Sequence, residues 1–181
     1  MTAADGATSL RHAMGHFATG IAVVTTLEDG HDHAMTANSL TSVSLEPPLV
    51  LVCVRNDSGW LEAVVSSGVW GVSLLPVGGR PAASWLSTGG RPLYGQLAQV
   101  PHHRGDLGVA LVDDALATLE CRTHAMHEAG DHMIVRVVPE VIEVGDGDSP
   151  LVFWGGQMMG IGDVTISPIW QLGQVDQQPS R

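Results

Sequence analysis

The 181-residue sequence contains no lysine. That absence excludes a Schiff-base enzyme, a phosphate loop of the Walker type and any lysine general base, because each needs the ε-amine. Positive charge of any kind is scarce, with eight arginines against 19 acidic residues and a formal net charge of −11. The arginines are scattered rather than clustered, so a nucleic-acid backbone would be repelled, and no nucleic-acid partner is expected. Long apolar runs are also missing. No stretch approaches the roughly 20 residues needed to cross a bilayer, and no N-terminal segment has the basic flank and apolar core of a signal peptide. The expectation is a cytoplasmic protein with no membrane association. Cysteine is limited to Cys53 and Cys121, each in an apolar strand-like setting, where a buried reduced thiol is favoured over a catalyst or a staple. No internal repeat, low-complexity linker or domain boundary is visible, and the length and 44% hydrophobic content suit one domain over residues 1–181.

What is present is a succession of short extended segments. TSLRHAMGHFA (8–18) reads as an N-terminal helix capped by Thr8 or Ser9, with Leu10, Met14 and Phe17 on one core-facing stripe. GIAVVTT (20–26) is β-branched and stops at LEDG, after which HDHAMTANSLTSVSL resumes in extended form, a hairpin pattern. Proline breaks the chain at 46–48, and LVLVCV (49–54) follows as a strand buried on both faces. NDSGWLEAVVSSG (56–68) predicts a helix capped by Asp57 or Ser58 and closed by Gly68. VWGVSLLP (69–76) is a further strand, and residues 77–108 hold a short helix around AASWL. ALATLECRTHAM (115–126) and HMIVRVVPEVIEVG (132–145) pair as a long hairpin around HEAGD, with Pro139 at an edge or a bulge. SPLVFW (149–154) adds a last strand, and the tail beyond Gly160 has no clear period. Many short antiparallel strands with one or two helices suggest a small β-barrel.

Two features stand out chemically. AMTANSLTSVSLEPPLVLVCV (34–54) crowds Thr36, Asn38, Ser39, Thr41, Ser42 and Ser44 ahead of an apolar strand. Alternate hydroxyls could simply face water. The span from Thr36 to Ser44 carries no charge, however, which also suits a cradle for a phosphate or heterocycle, with Ser58 at a helix start as a second anion site. Among the histidines, His127 and His132 are five apart in HEAGDH, which is not the HExxH spacing that places two ligands on one helical face, so no metal is expected. His31, His33, His102 and His103 read as solvated loop residues. His132 follows Gly130 and Asp131 at a tight turn, where an imidazole either reaches into a cleft or is an ordinary exposed turn residue.

FATGIAVVTT, HAMTANSLTSVSLEPPLVLVCV and AGDHMIV, in this order and spacing, resemble the short-chain flavin reductases of two-component flavin-dependent monooxygenases, from about Ala13 to Phe153. The resemblance implies a mainly β fold, an FMN-binding split β-barrel of Greek-key topology with a few flanking helices, assembled as a homodimer. It implies NADH-dependent reduction of FAD or FMN, with NADPH disfavoured because no arginine cluster suggests a 2′-phosphate site, and release of reduced flavin to a partner monooxygenase. On this chain it places Thr36 and Ala37 beside the isoalloxazine through backbone groups. Asn38 and Ser39 point toward the ribityl and phosphate, and Ser42 lies nearby. Ser58 or Trp60 is a further phosphate contact, Ser58 being preferred, and Thr19-Gly20 enters the first strand. Gly130 and Asp131 shape the turn that presents His132, the catalytic candidate, to the nicotinamide. The chain departs from the family at Ala18, at AASWLST in the 77–108 span, and at FWGGQMM after residue 152. A flavoprotein of the same fold that retains its flavin as an oxidase or store, and an acidic interaction domain without flavin affinity, are the rival readings.

Overall fold

The computed structural model describes residues 3–161. Helix α1, Ala3–Met14, begins earlier than expected, because Ala3, Ala4 and Ala7 extend a helix-favouring run upstream and Gly15 ends it. Its apolar stripe is not core: Leu10, Met14 and Phe17 are 63%, 53% and 62% exposed. A two-residue strand β1, Thr19–Gly20, leads into the hairpin of β2, Ala22–Glu28, and β3, His31–Ala37, closed by Asp29 and Gly30 at positive φ. That pair of left-handed residues matches the right-handed twist of the strands it joins.

The segment expected to continue as one extended stretch instead breaks at residues 38–40. Strand β4, Thr41–Leu45, then pairs with β5, Pro48–Arg55. Helix α2, Gly59–Ser67, follows, ended by Gly68 in the left-handed conformation with its N–H on the Val64 carbonyl. Strand β6, Val69–Leu74, a short 3-10 turn and helix α3, Arg80–Ser87, come next. A small ribbon of β7, His102–Arg104, and β8, Ala110–Val112, precedes the long hairpin of β9, Ala117–Ala129, and β10, His132–Val144. Only Gly130 and Asp131 lie outside that ladder, so HEAGD is mostly strand. Pro139 sits at a bulge in a central strand, where no ladder N–H is required of it. Strands β11, Leu151–Trp154, and β12, Gln157–Gly160, form a three-stranded sheet with β1 in the order β1-β11-β12. The last of these was not expected from the sequence, although the Gly155-Gly156 pair at its start, both at positive φ, is a turn signal. The tail beyond residue 161 lies outside the described residues.

The main sheet has the order β3-β2-β6-β9-β10-β5-β4. Its edge strands β3 and β4 are consecutive in the chain, joined by residues 38–40. Seven strands laid flat would hold their edges about 29 Å apart, whereas the step from Ala37 to Thr41 spans at most about 14 Å. The sheet must therefore curl until its edges meet at that corner. No ladder joins β3 to β4 among the described residues, so the mainly β fold is a curled sheet that is not closed into a barrel.

The concave face is filled by α2. Trp60, Leu61 and Val64 join Val24, Val52, Val54, Trp70, Val72, Cys121, Val135 and Val137, from five strands, in one buried cluster. A second cluster lies on the opposite side of β2, where Ala83 and Leu86 of α3 meet Ile21, Val23, Leu75 and Val112. Strand β2 is thus buried on both faces. Strand β5 is not, against expectation: Val52 and Val54 are buried while Leu51 and Cys53, which alternate with them, are half-buried, because no element among the described residues covers the outer face there. Both cysteines are free, and burial, with Glu120 and Glu140 adding to it, pushes the Cys121 thiol up to about 12.

Candidate functional site

The corner that closes the curl is also the uncharged polar stretch. The Ser39 hydroxyl donates to the Cys53 carbonyl at 2.9 Å and accepts the Cys53 N–H at 3.1 Å. One side chain thereby completes both ladder bonds of Cys53 where β4 has not yet begun. Asn38 Nδ2 donates to Thr19 Oγ1 at 3.3 Å, tying the corner to β1. Thr36 turns away, its hydroxyl donating to the Ala83 carbonyl of α3 at 2.7 Å, and Ala37 packs into the core at 6% exposure. For these two, only backbone atoms remain to meet a ligand.

Thr19, Gly20, Asn38 and Ser39 line a cleft of about 700 Å³ together with Leu40 and Thr41. Its far wall comes from Arg11, Met14 and Phe17 at the end of α1 and from Phe153 of β11. Sequence reasoning placed Phe17 in the core and gave Arg11 no role. The available signal was that Arg11 is the only arginine before Arg55.

Five residues expected at the flavin do not line this cleft: Thr36 and Ala37, described above, and Ser42, Ser58 and Trp60. Ser42 is exposed on β4 opposite Val50. Ser58 holds the N-cap position of α2 but makes no capping bond, its hydroxyl turned toward the Met35 sulfur at 3.7 Å. Trp60 is 3% exposed, stacked edge-to-face on Trp70 at 5.3 Å in the core. The helical period that buries Leu61 and Val64 buries its indole as well.

Gly130, Asp131 and His132 form a second locus. Gly130 takes φ +66, which glycine adopts without steric cost. Asn56 anchors the turn by donating its backbone N–H to the Asp131 carbonyl at 3.0 Å and Nδ2 to the Gly130 carbonyl at 3.2 Å. His132 Nδ1 lies 2.7 Å from Asp131 Oδ1. Its hydrogen bond, then its charge, holds the Asp131 carboxyl below its usual pKa. An ionised carboxylate only accepts, so Nδ1 carries the proton in this contact and Nε2 is the ring nitrogen left to face a ligand. Arg55 faces His132 across the ladder and makes a two-pronged pair with Asp57 at 2.8 and 2.6 Å, which keeps the Asp57 carboxyl low. The turn and the corner flank β5 on opposite sides, two strand spacings across and two residues along, or roughly 12 Å by ideal sheet dimensions. Among the described residues no three His, Cys, Asp or Glu side chains converge as a metal site.

Comparison with known proteins places this geometry. The model of the flavin reductase like domain matches residues 14–162. A flavin reductase (NADPH) from Lentzea aerocolonigenes is 40% identical over 156 residues, covering 84% of this chain and 86% of the relative. Among solved structures, BorF, the flavin reductase component of a bacterial two-component tryptophan halogenase, superposes with a TM-score of 0.81 at 39% identity, over 87% of this chain and 99% of BorF. The Streptomyces globisporus C-1027 NADH:FAD oxidoreductase SgcE6, in complex with NAD and FAD fragments, superposes with a TM-score of 0.84 at 31% identity, over 92% of this chain and 99% of SgcE6. The chain belongs to the flavin reductase like family.

Proposed function

We propose that the protein is an NAD(P)H:flavin oxidoreductase that reduces free FAD or FMN and releases the product to a separate flavin-dependent monooxygenase. The observation that carries this reading is the Ser39-pinned corner opening onto the 700 Å³ cleft. Its uncharged amides and hydroxyls suit the polar edge of an isoalloxazine, its apolar walls suit the ring faces, and Arg11 suits a phosphate. The residues present therefore fit a flavin. The relatives' names support the reaction class and the handover, since BorF is the reductase half of a two-component system.

When bound, the flavin supplies the acceptor for a hydride from the nicotinamide, a transfer that needs no protein nucleophile. The chain's part is placement. Backbone groups of Thr36 and Ala37, with Asn38 and Ser39, hold the flavin edge, and Thr19 braces Asn38. His132, fixed by Asp131 and by the Asn56-anchored Gly130 turn, orients the nicotinamide through Nε2. Rigid strands beneath both loci keep the reacting rings in a near-attack arrangement. Ser42, Ser58 and Trp60 stay outside this machinery. Both nicotinamides are carried as substrates, with NADH preferred because no arginine cluster awaits a 2′-phosphate.

We also read residues 1–181 as one unit working as a homodimer of split-barrel type. Val43, Leu45, Ile142 and Val144 are 46%, 89%, 56% and 81% exposed on β4 and β10, apolar surface that a second copy would cover. Free thiols at Cys53 and Cys121 suit the cytoplasm, and no helix among the described residues is long and apolar enough to cross a membrane. The test is turnover of added FAD and FMN with NADH and NADPH. His132→Ala should raise the NADH KM by about tenfold or more while flavin affinity changes little. Equal loss of both would remove His132 from the nicotinamide site, and a yellow protein inert to NADH would remove the reductase reading.

A further inference from the structure

The cleft beside the corner is lined by more than the groups that would hold a flavin ring and its first phosphate, and its α1 end has a different chemistry. Arg11 is the only positively charged residue on its walls and makes no ion pair among the described residues. Beside it stand Phe17, left 62% exposed just after α1, and Phe153, whose strand partner is Thr19. Leu10, Met14 and Phe17 all stay exposed, so this apolar stripe gains no burial among the described residues. We propose that this end binds the adenosine diphosphate half of FAD, with Arg11 on the second phosphate and the adenine between Phe17 and Phe153, so that the chain prefers FAD to FMN.

The inference rests on the flavin reading above, which puts the phosphate end of the flavin at Asn38 and Ser39. Thr19 and Arg11 line the same cleft as Asn38 and Ser39. A chain of net charge −11 that holds a diphosphate needs a local cation, and a guanidinium fork meets phosphate oxygens in two directions at once. Flat rings on a base face add stacking of a kind that tolerates small shifts. FMN has neither a second phosphate nor a base, and would leave Arg11 and both rings in water. A cleft of about 700 Å³ is also of a size that holds a whole cofactor rather than a ring alone. The same adenosine diphosphate group occurs in NADH. His132, however, stands roughly 12 Å from the corner by ideal sheet spacings, on the far side of β5, so the cleft is continuous with the flavin and not with the nicotinamide.

The measurement is a fluorescence-quenching titration of the full chain with FAD and with FMN, for the native protein and for Arg11→Gln, Arg11→Lys and Phe17→Ala. The native chain should bind FAD about tenfold more tightly than FMN; Arg11→Gln and Phe17→Ala should each bring that ratio toward unity, and Arg11→Lys should restore part of it. Both sites are exposed, and thermal midpoints of the three variants establish that they fold. Equal native affinities would overturn the proposal, as would equal loss of FAD and FMN in Arg11→Gln, which would put Arg11 on the phosphate the two flavins share. A higher NADH KM in Arg11→Gln, assayed with FMN as acceptor, would assign the adenosine diphosphate end to the nicotinamide dinucleotide instead. Failure of the native chain to bind either flavin would sink the reading of function itself, a result distinct from binding both equally.

Discussion

The two edges of the main sheet are treated in opposite ways. At β3 the chain covers its own edge. Gln96 Oε1 accepts the Ala34 N–H at 2.9 Å and Arg91 Nη2 donates to the Ala34 carbonyl at 2.9 Å, so both open ladder groups of that residue are satisfied. The Thr36 hydroxyl bonds α3, and Arg104 grips Asp32 with two contacts of 2.6 and 2.7 Å. The β7–β8 ribbon that carries Arg104 is itself nailed down by the buried Glu120, whose carboxylate accepts the N–H groups of Asp106 at 2.7 Å and Leu107 at 2.6 Å. At β4 nothing comparable exists among the described residues, and Leu45 and Val43 face outward. An unpaired edge is a template for another strand, and proteins ordinarily blunt it. One edge is blunted by the described chain and the other is left apolar, which is the contrast the proposed homodimer would explain.

Breaking the covered side should have the largest effect. Glu120→Ala strips two charge-assisted hydrogen bonds from the turn at 105–108 and should cost about 3 kcal/mol, read as a drop in the denaturant midpoint with unchanged slope. Gln96→Leu leaves the buried Ala34 N–H without an acceptor. It should cost about 2 kcal/mol and increase aggregation on heating, because it reopens an edge. On the other edge a paired charge reversal of the logic sharpens the contrast. Val43→Lys with Leu45→Lys should shift the protein from dimer to monomer by light scattering, while the stability of the monomeric fold moves by no more than about 0.5 kcal/mol. A dimer that survives both lysines would mean that β4 is not the interface.

The local features that sequence reasoning recovered share one property: their cause lies within a few residues. Asp29-Gly30 and Gly130-Asp131 are turn chemistry, Gly68 is a helix stop, and Pro139 can only sit where no ladder bond is missed. The errors have causes far away along the chain. Whether Leu51 and Cys53 are covered depends on what lies over β5, and whether Phe17 is core depends on where α1 docks. Ser58 and Trp60 are the residues expected to contact a phosphate, but the rotation of α2 sends the indole into the core and the hydroxyl toward Met35. The segment at 34–45 looked continuous because every residue in it tolerates extended backbone. Its break at residues 38–40 comes from the curl of the whole sheet.

By itself the sequence determined the hairpins, the α2 helix, the lysine-free and acidic character of the chain, and the identity of the polar stretch from Thr36 to Ser42, since these follow from periodicity, turn residues and composition. Tertiary structure alone decided that this stretch is a corner where two sheet edges meet, that Ser39 spends its hydroxyl on Cys53, and that Arg11 and Phe17 face the same cleft. Contacts between residues tens of positions apart are set by strand order and sheet curvature, which no local pattern encodes.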